Sequence, residues 1–248
     1  MKYAKYTLLP ILIALIFLLL ALPDLTGKPL FRSPAYNTAE AYLAEHYADL
    51  DLAIGDISWN DHGGDYHVNI YSPSSPDTNF TLVVGSRSKA VEQDTYAQDV
   101  LGGENTADRL YWEYRTLADS LLEDPAFPFD HNSSYGLLLL DEENTANLVP
   151  DGTYDVRELG TKAGFLELHV QTEDLTAECA AQLLLALKNH MDAQNFSFCS
   201  VDLILWTRPI DPNSGTLGNA EELNVSGFLY ADIYAEGLEE RVQAHIKP

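Results

Sequence analysis

The stretch GDISWNDHGGDYHVNIYSPSSPDTNFTLVVG, residues 55–85, sets the fold class. In it Ile57 and Trp59 alternate with Asp56 and Ser58, and Tyr66, Val68 and Ile70 alternate with His67 and Asn69. Phe80, Leu82 and Val84 make a third apolar series. A period of two puts each series on one face of a strand. Gly63 and Gly64 supply a turn between the first two strands, and the Pro- and Ser-rich run from Ser72 to Thr78 separates the second from the third. Connections this short join antiparallel neighbours, because parallel strands need a crossover of about a dozen residues or more.

Helices flank the strands. Asn37 and Glu40 have the spacing of a capping box, so a helix is expected to start at Asn37, with Ala39, Tyr42, Leu43, Tyr47 and Leu50 on its buried stripe. A longer helix is expected over residues 105–123, with Leu110, Tyr114, Leu117, Ala118 and Leu121 inward and Arg109 paired to Glu113 one turn on. Pro125 and Pro128 close it. The second half repeats the theme: an apolar run Leu137 to Leu140, a strand with Leu166, Leu168 and Val170 against Glu167 and His169, and a helix capped by Thr176. Val201, Leu203 and Leu205 form a further strand. A last long one carries Val225, Leu229, Ala231 and Ile233, with Phe228, Tyr230 and Tyr234 on its other side, and a terminal helix covers residues 237–246.

Residues 6–23 are an uncharged apolar run, about 27 Å long as a helix against a hydrocarbon core of about 30 Å. A cleaved signal peptide fits less well, since Ala21-Leu22-Pro23-Asp24 puts proline at the processing site. The expected architecture is therefore α+β: an N-terminal transmembrane helix followed by two small antiparallel-sheet-plus-helix domains. Residues 1–34 would be cytoplasmic tip, anchor and linker, 35–125 the first domain and 126–248 the second. Short basic N-termini stay inside, so the body is expected outside the cytoplasm, on a single-pass cell-membrane protein whose other partner is the lipid bilayer.

Charge narrows the functions. The chain has 14 Lys+Arg against 38 Asp+Glu, a net −24. Lys2, Lys5, Lys28 and Arg32 lie in the first 34 residues with only Asp24, so the body is more acidic still, at about −27. Such a field repels phosphates, which excludes nucleic acid as a partner. Cys179 and Cys199 are the only cysteines. Their even number admits a disulfide, but a helix of about 22 Å starting near Cys179 carries the chain away before Cys199, which favours two thiols.

AEAYLAEHY (Ala39–Tyr47), GDISWN (Gly55–Asn60), DRLYWEYR (Asp108–Arg115), TYDVRELG (Thr153–Gly160) and GFLYADIY (Gly227–Tyr234) resemble the YfjL-like family of uncharacterised exported proteins of Gram-positive bacteria. The resemblance covers most of the chain after Pro34. The first half also resembles cystatin-like and PepSY-like exported domains in layout, which implies a binding or regulatory module by analogy. The family implies no catalytic residues.

No G-x-S-x-G, H-E-x-x-H, G-x-G-x-x-G or Walker motif is present. Asp61, His62, Asp65 and His67 surround the Gly63–Gly64 turn with metal-ligand chemistry, but His62 and His67 have opposite strand parity. Asp211, Asn213, Asn219 and Glu222 match EF-hand loop positions 1, 3, 9 and 12, against Pro212 at position 2, Gly215 where a ligand belongs and Thr216 where the turn glycine belongs. Asp141, Glu142 and Glu143 are adjacent acids in a loop, whereas a glycosidase needs carboxylates about 5–10 Å apart across a cleft. Trp112, Tyr230 and Tyr234 suit either a groove or packing between the halves. No catalytic, cofactor or metal residue is assigned. The expected function is a membrane-anchored, non-enzymatic binding or regulatory module for an envelope protein or peptide. The alternative is an envelope hydrolase using paired carboxylates on a glycan, and a third reading is a structural protein stabilised by divalent ions.

Overall fold

The computed structural model describes residues 34–207 and 220–247. They form two units. The first comprises the described residues up to Thr106 together with Ala146–Asp151, and the second comprises Ala107–Thr145 with the described residues from Gly152 onward.

In the first unit, helix α1 (Pro34–His46) lies on an antiparallel sheet of β1 (Ala53–Asn60), β2 (Asp65–Ser72), β3 (Ser75–Gly85) and β4 (Val91–Asp94), paired in that order. Strand alternation sorts the side chains as expected. Val68 and Ile70 from β2 and Phe80, Leu82 and Val84 from β3 are buried with Ala35, Ala39 and Val100. Helix α1 starts at Pro34, so Asn37 sits inside it and no capping box forms there. Proline's fixed φ and missing N–H suit a helix's first turn, and this outweighs the Asn37–Glu40 signal. Leu50 lies beyond the helix and is exposed, while Tyr42, Leu43 and Tyr47 pack on the core. Only Pro73 and Ser74 turn between β2 and β3; Pro76 and Asp77, expected in a loop, are strand residues.

The second unit contains most of helix α2 (Glu104–Leu122), whose first three residues belong to the first unit. There follow β5 (Tyr135–Leu138), short α3 (Glu142–Ala146), α4 (Val156–Ala163), β6 (Gly164–Gln171), α5 (Ala177–Ala193), β7 (Ser200–Thr207), β8 (Glu221–Leu229), α6 (Leu238–His245) and β9 (Ile246–Lys247). Leu166, Leu168, Val170, Val201, Leu203, Leu205, Val225 and Phe228 are buried on one face of the sheet β5-β6-β7-β8-β9. Thr176 caps α5, accepting from Cys179 N. Cys179 and Cys199 are free thiols.

The core of this unit is built around Tyr114. The stripe Leu110, Tyr114, Ala118 and Leu122 is fully or almost fully buried. Three glycines make room for it. A Cβ on Gly160 would lie 2.5 Å from Tyr114 Cε2, one on Gly164 2.3 Å from its hydroxyl, and one on Gly136 2.4 Å from Ala118 Cβ. The ring packs on Phe196 at 5.1 Å, and the hydroxyl has no hydrogen-bond partner among the described residues.

The expected architecture is corrected twice. Among the described residues no helix is long and apolar enough to cross a membrane; the longest, α2, is amphipathic and bears Asp108, Arg109, Glu113, Arg115 and Asp119 along its length. The span read at residues 6–23 lies outside the described residues. The second sheet is not antiparallel throughout, because β6 and β7 pair in parallel with Leu166 opposite Val201 and Leu168 opposite Leu203. The chain between them includes all of α5, which is the long crossover a parallel pair requires. The last strand is also shorter than expected. Gly227 takes φ 62, and the pairing with β7 shifts between Val201 and Leu203. This bulge turns Phe228 inward and leaves Leu229 exposed. Tyr230–Asp232 then forms a 3-10 turn.

Candidate functional site

The residues singled out in the sequence are mostly dispersed. At the β1–β2 turn His62 N donates to Asn60 Oδ1, and only Asp65 and His67 come together, with Oδ1 and Nε2 3.3 Å apart. No group of three or more His, Cys, Asp or Glu among the described residues could hold a metal ion. Asp211, Asn213 and Asn219 lie outside the described residues, and Glu222 belongs to β8. Asp141 takes a capping role at the start of α3, accepting from Asn144 N at 2.8 Å and Asn144 Nδ2 at 2.7 Å. Trp112 is 59% exposed, with its ring edge-on to Tyr111 at 5.3 Å. Tyr230 and Tyr234 do not share a strand face. Lys188 Nζ sits 3.6 Å over the Tyr230 ring, and the Arg241 guanidinium 3.7 Å over that of Tyr234.

Strand alternation builds a different site. The second sheet buries Val201, Leu203 and Leu205, so Asp202, Ile204 and Trp206 of β7 point to the opposite face. Beside them stand Glu222, Asn224 and Ser226 on β8 and His169 on β6, and together they line an open groove of about 580 Å³. Ile204 pairs with Asn224 and Trp206 with Glu222 across the strands. The floor is therefore apolar on β7 and polar on either side.

The groove's polar groups are positioned from behind. Asp202 Oδ1 accepts from Gly227 N at 2.6 Å, so the bulge on β8 fixes the carboxylate. His169 Nε2 donates to Glu167 Oε1 at 2.8 Å. Tyr135 stands opposite Glu167 on β5. Burial first, and then the neighbouring Glu167 carboxylate, pushes the Tyr135 phenol above its ordinary value. The Arg115 guanidinium lies 4.9 Å over the Tyr135 ring. Asn224 Oδ1 is buried without a hydrogen-bond partner among the described residues. Sequence reading missed this assembly, although the alternation Asp202-Ile204-Trp206 was visible. Nothing local to β7 says that β6 and β8 are its neighbours.

The first unit has a polar centre on Asp94. Asp94 Oδ2 accepts from Tyr42 at 3.0 Å and Tyr47 at 2.7 Å, and Asp94 Oδ1 accepts from Tyr96 N at 2.9 Å. Burial, then the bond to Asp94, drives the Tyr47 phenol well above its ordinary value. These bonds tie α1 to β4 and use the carboxylate within the fold.

The described residues define a two-unit α+β protein, with an antiparallel meander in one unit and a mixed sheet with an open face in the other. The chain belongs to the YfjL-like family: the model of the YfjL-like N-terminal domain matches residues 1–95, and that of the YfjL-like C-terminal domain matches residues 113–243, more than half of the chain. No curated protein matches it. Among solved structures, a DUF5037 family protein from Ruminococcus gnavus ATCC 29149 aligns at 12% identity, over 82% of this chain and 98% of that one, with a TM-score of 0.25.

Proposed function

We propose that this chain is a non-enzymatic binding or regulatory module, and that the open sheet face of its second unit holds a segment of another protein. On its sequence, that partner is an envelope protein or peptide. One observation carries the proposal: a groove of about 580 Å³ on the sheet face opposite the buried Val201, Leu203 and Leu205, with Ile204 and Trp206 on its floor and polar groups around them. Half-exposed aromatic and aliphatic side chains ringed by oriented polar groups are the pattern of recognition surfaces. The helix-then-hairpins layout of the first unit, similar to cystatin-like and PepSY-like domains, agrees with this by analogy.

The test is site-specific photocrosslinking in intact cells, with the reactive residue at Ile204 and a control at Glu142. A single discrete adduct at 204 that is absent at 142 supports the module. No adduct at 204, or glycan hydrolysis by the purified full chain that Glu222→Gln abolishes, overturns it. The second result would establish a carboxylate hydrolase instead.

A further inference from the structure

We infer that the groove selects cationic side chains, lysine or arginine, presented by an extended peptide segment, with their stems on Ile204 and Trp206 and their charges met separately by Asp202 at one end and Glu222 at the other. This rests on the groove being the contact face proposed above. The groove's acceptors outnumber its donors. Asp202 and Glu222 bring carboxylates, and neither Lys nor Arg is among the described residues that line it. His169, the lining residue able to carry positive charge, already points its Nε2 at Glu167.

The apolar floor explains why a long basic side chain fits better than a small cation. Lysine and arginine bury an aliphatic stem on apolar surface while the charged head finds acceptors, and an indole face attracts that head directly. A neutral apolar segment would desolvate the carboxylates without supplying donors. An acidic segment would meet like charge here and across a chain of net −24. Charge complementarity thus names the occupant, and the fixed Asp202 carboxylate gives it a defined place.

The experiment uses the full chain carrying Trp59→Phe and Trp112→Phe, which leaves Trp206 as the only indole. The probes are acetyl-(Lys-Thr)4-amide and acetyl-(Gln-Thr)4-amide, titrated by Trp206 fluorescence. The lysine peptide is expected to bind and the glutamine peptide to leave the emission unchanged. Glu222→Gln and Asp202→Asn should each weaken binding by about tenfold, the size of one desolvated cation contact. Asp202→Asn keeps an oxygen for Gly227 N, so the bulge is preserved. Glu142→Gln with Glu143→Gln, on α3, should change affinity less than about twofold, as exposed charges away from the site do. Equal binding of the two peptides, or an equal loss from the α3 pair, overturns the inference. If Ile204 still crosslinks one partner and Glu222→Gln leaves that adduct intact, cation selection fails while the contact face stands. Absence of the adduct removes both.

Discussion

Replacing Tyr114 with phenylalanine should stabilise the second unit. The side chain is wholly buried, and its hydroxyl finds no hydrogen-bond partner among the described residues. Burying an unpaired hydroxyl costs about 1–3 kcal/mol. Burial, followed by the influence of Cys199, raises the phenol well above its ordinary value, as expected of a group cut off from water. Removing the oxygen opens a space of roughly 10 Å³, worth about 0.2 kcal/mol at about 24 cal/mol per Å³. The balance is a gain of about 1–3 kcal/mol. The assay is urea unfolding of the full chain in a Trp59→Phe background, where Trp112 and Trp206 both report the second unit. A rise in midpoint at constant slope is expected. A loss of more than about 1 kcal/mol would mean that the hydroxyl makes a bond worth keeping, and would refute the reasoning.

Three further outcomes follow from the packing. Gly160→Ala should cost the second unit about 2–3 kcal/mol in the same assay, since its Cβ would lie 2.5 Å from the Tyr114 ring and 2.9 Å from the Ser197 carbonyl. Asp77→Ala should cost the first unit about 3 kcal/mol, read by Trp59 fluorescence with Trp112 and Trp206 replaced. Asp77 is 1% exposed and its Oδ2 accepts from Thr106 Oγ1 at 2.9 Å and Asp151 N at 2.8 Å, so both donors lose their acceptor. Tyr47 should make the first unit alkali-sensitive. Its folded phenol is raised above the ordinary 10.0, so the unfolded chain ionises first. Its contribution is full below pH 10.0 and falls as pH rises above it, and Tyr47→Phe should flatten that fall in a pH series of urea midpoints.

Much of this fold can be read locally. Val68, Ile70, Phe80, Leu82 and Val84 alternate without interruption, and the structure buries all five. Leu110, Tyr114 and Ala118 recur every fourth residue on a helix, and Thr176 caps α5 as its position suggests. What escaped depends on partners distant in the chain. Leu166, Leu168 and Val170 alternate identically whether their neighbour runs parallel or antiparallel; only the length of chain containing α5 distinguishes the two. Gly227 reads as an ordinary strand residue until its positive φ moves Phe228 inward. Pro76 and Asp77 look like turn chemistry, and burial of Asp77 needs Thr106 and Asp151 to meet it. The groove follows the same rule. Asp202, Glu222, Asn224 and His169 come from three strands, and no local pattern states that order.

The return of Ala146–Asp151 to the first unit bears on how the chain is made. During synthesis the first unit cannot be completed when Thr106 emerges; it waits about 45 residues more, until Asp151 follows. At about 5–20 residues per second, that delay is roughly 2–9 s. Throughout it the Asp77 carboxylate lacks the amide that will cap it, and the loop closing on it spans 74 residues. A nascent first unit is therefore unfinished until that segment has been made. Severing the gene between the two family matches, at residues 96–112, would not yield two self-sufficient halves. The amino-terminal fragment would carry a buried acid whose partner had been left on the other polypeptide.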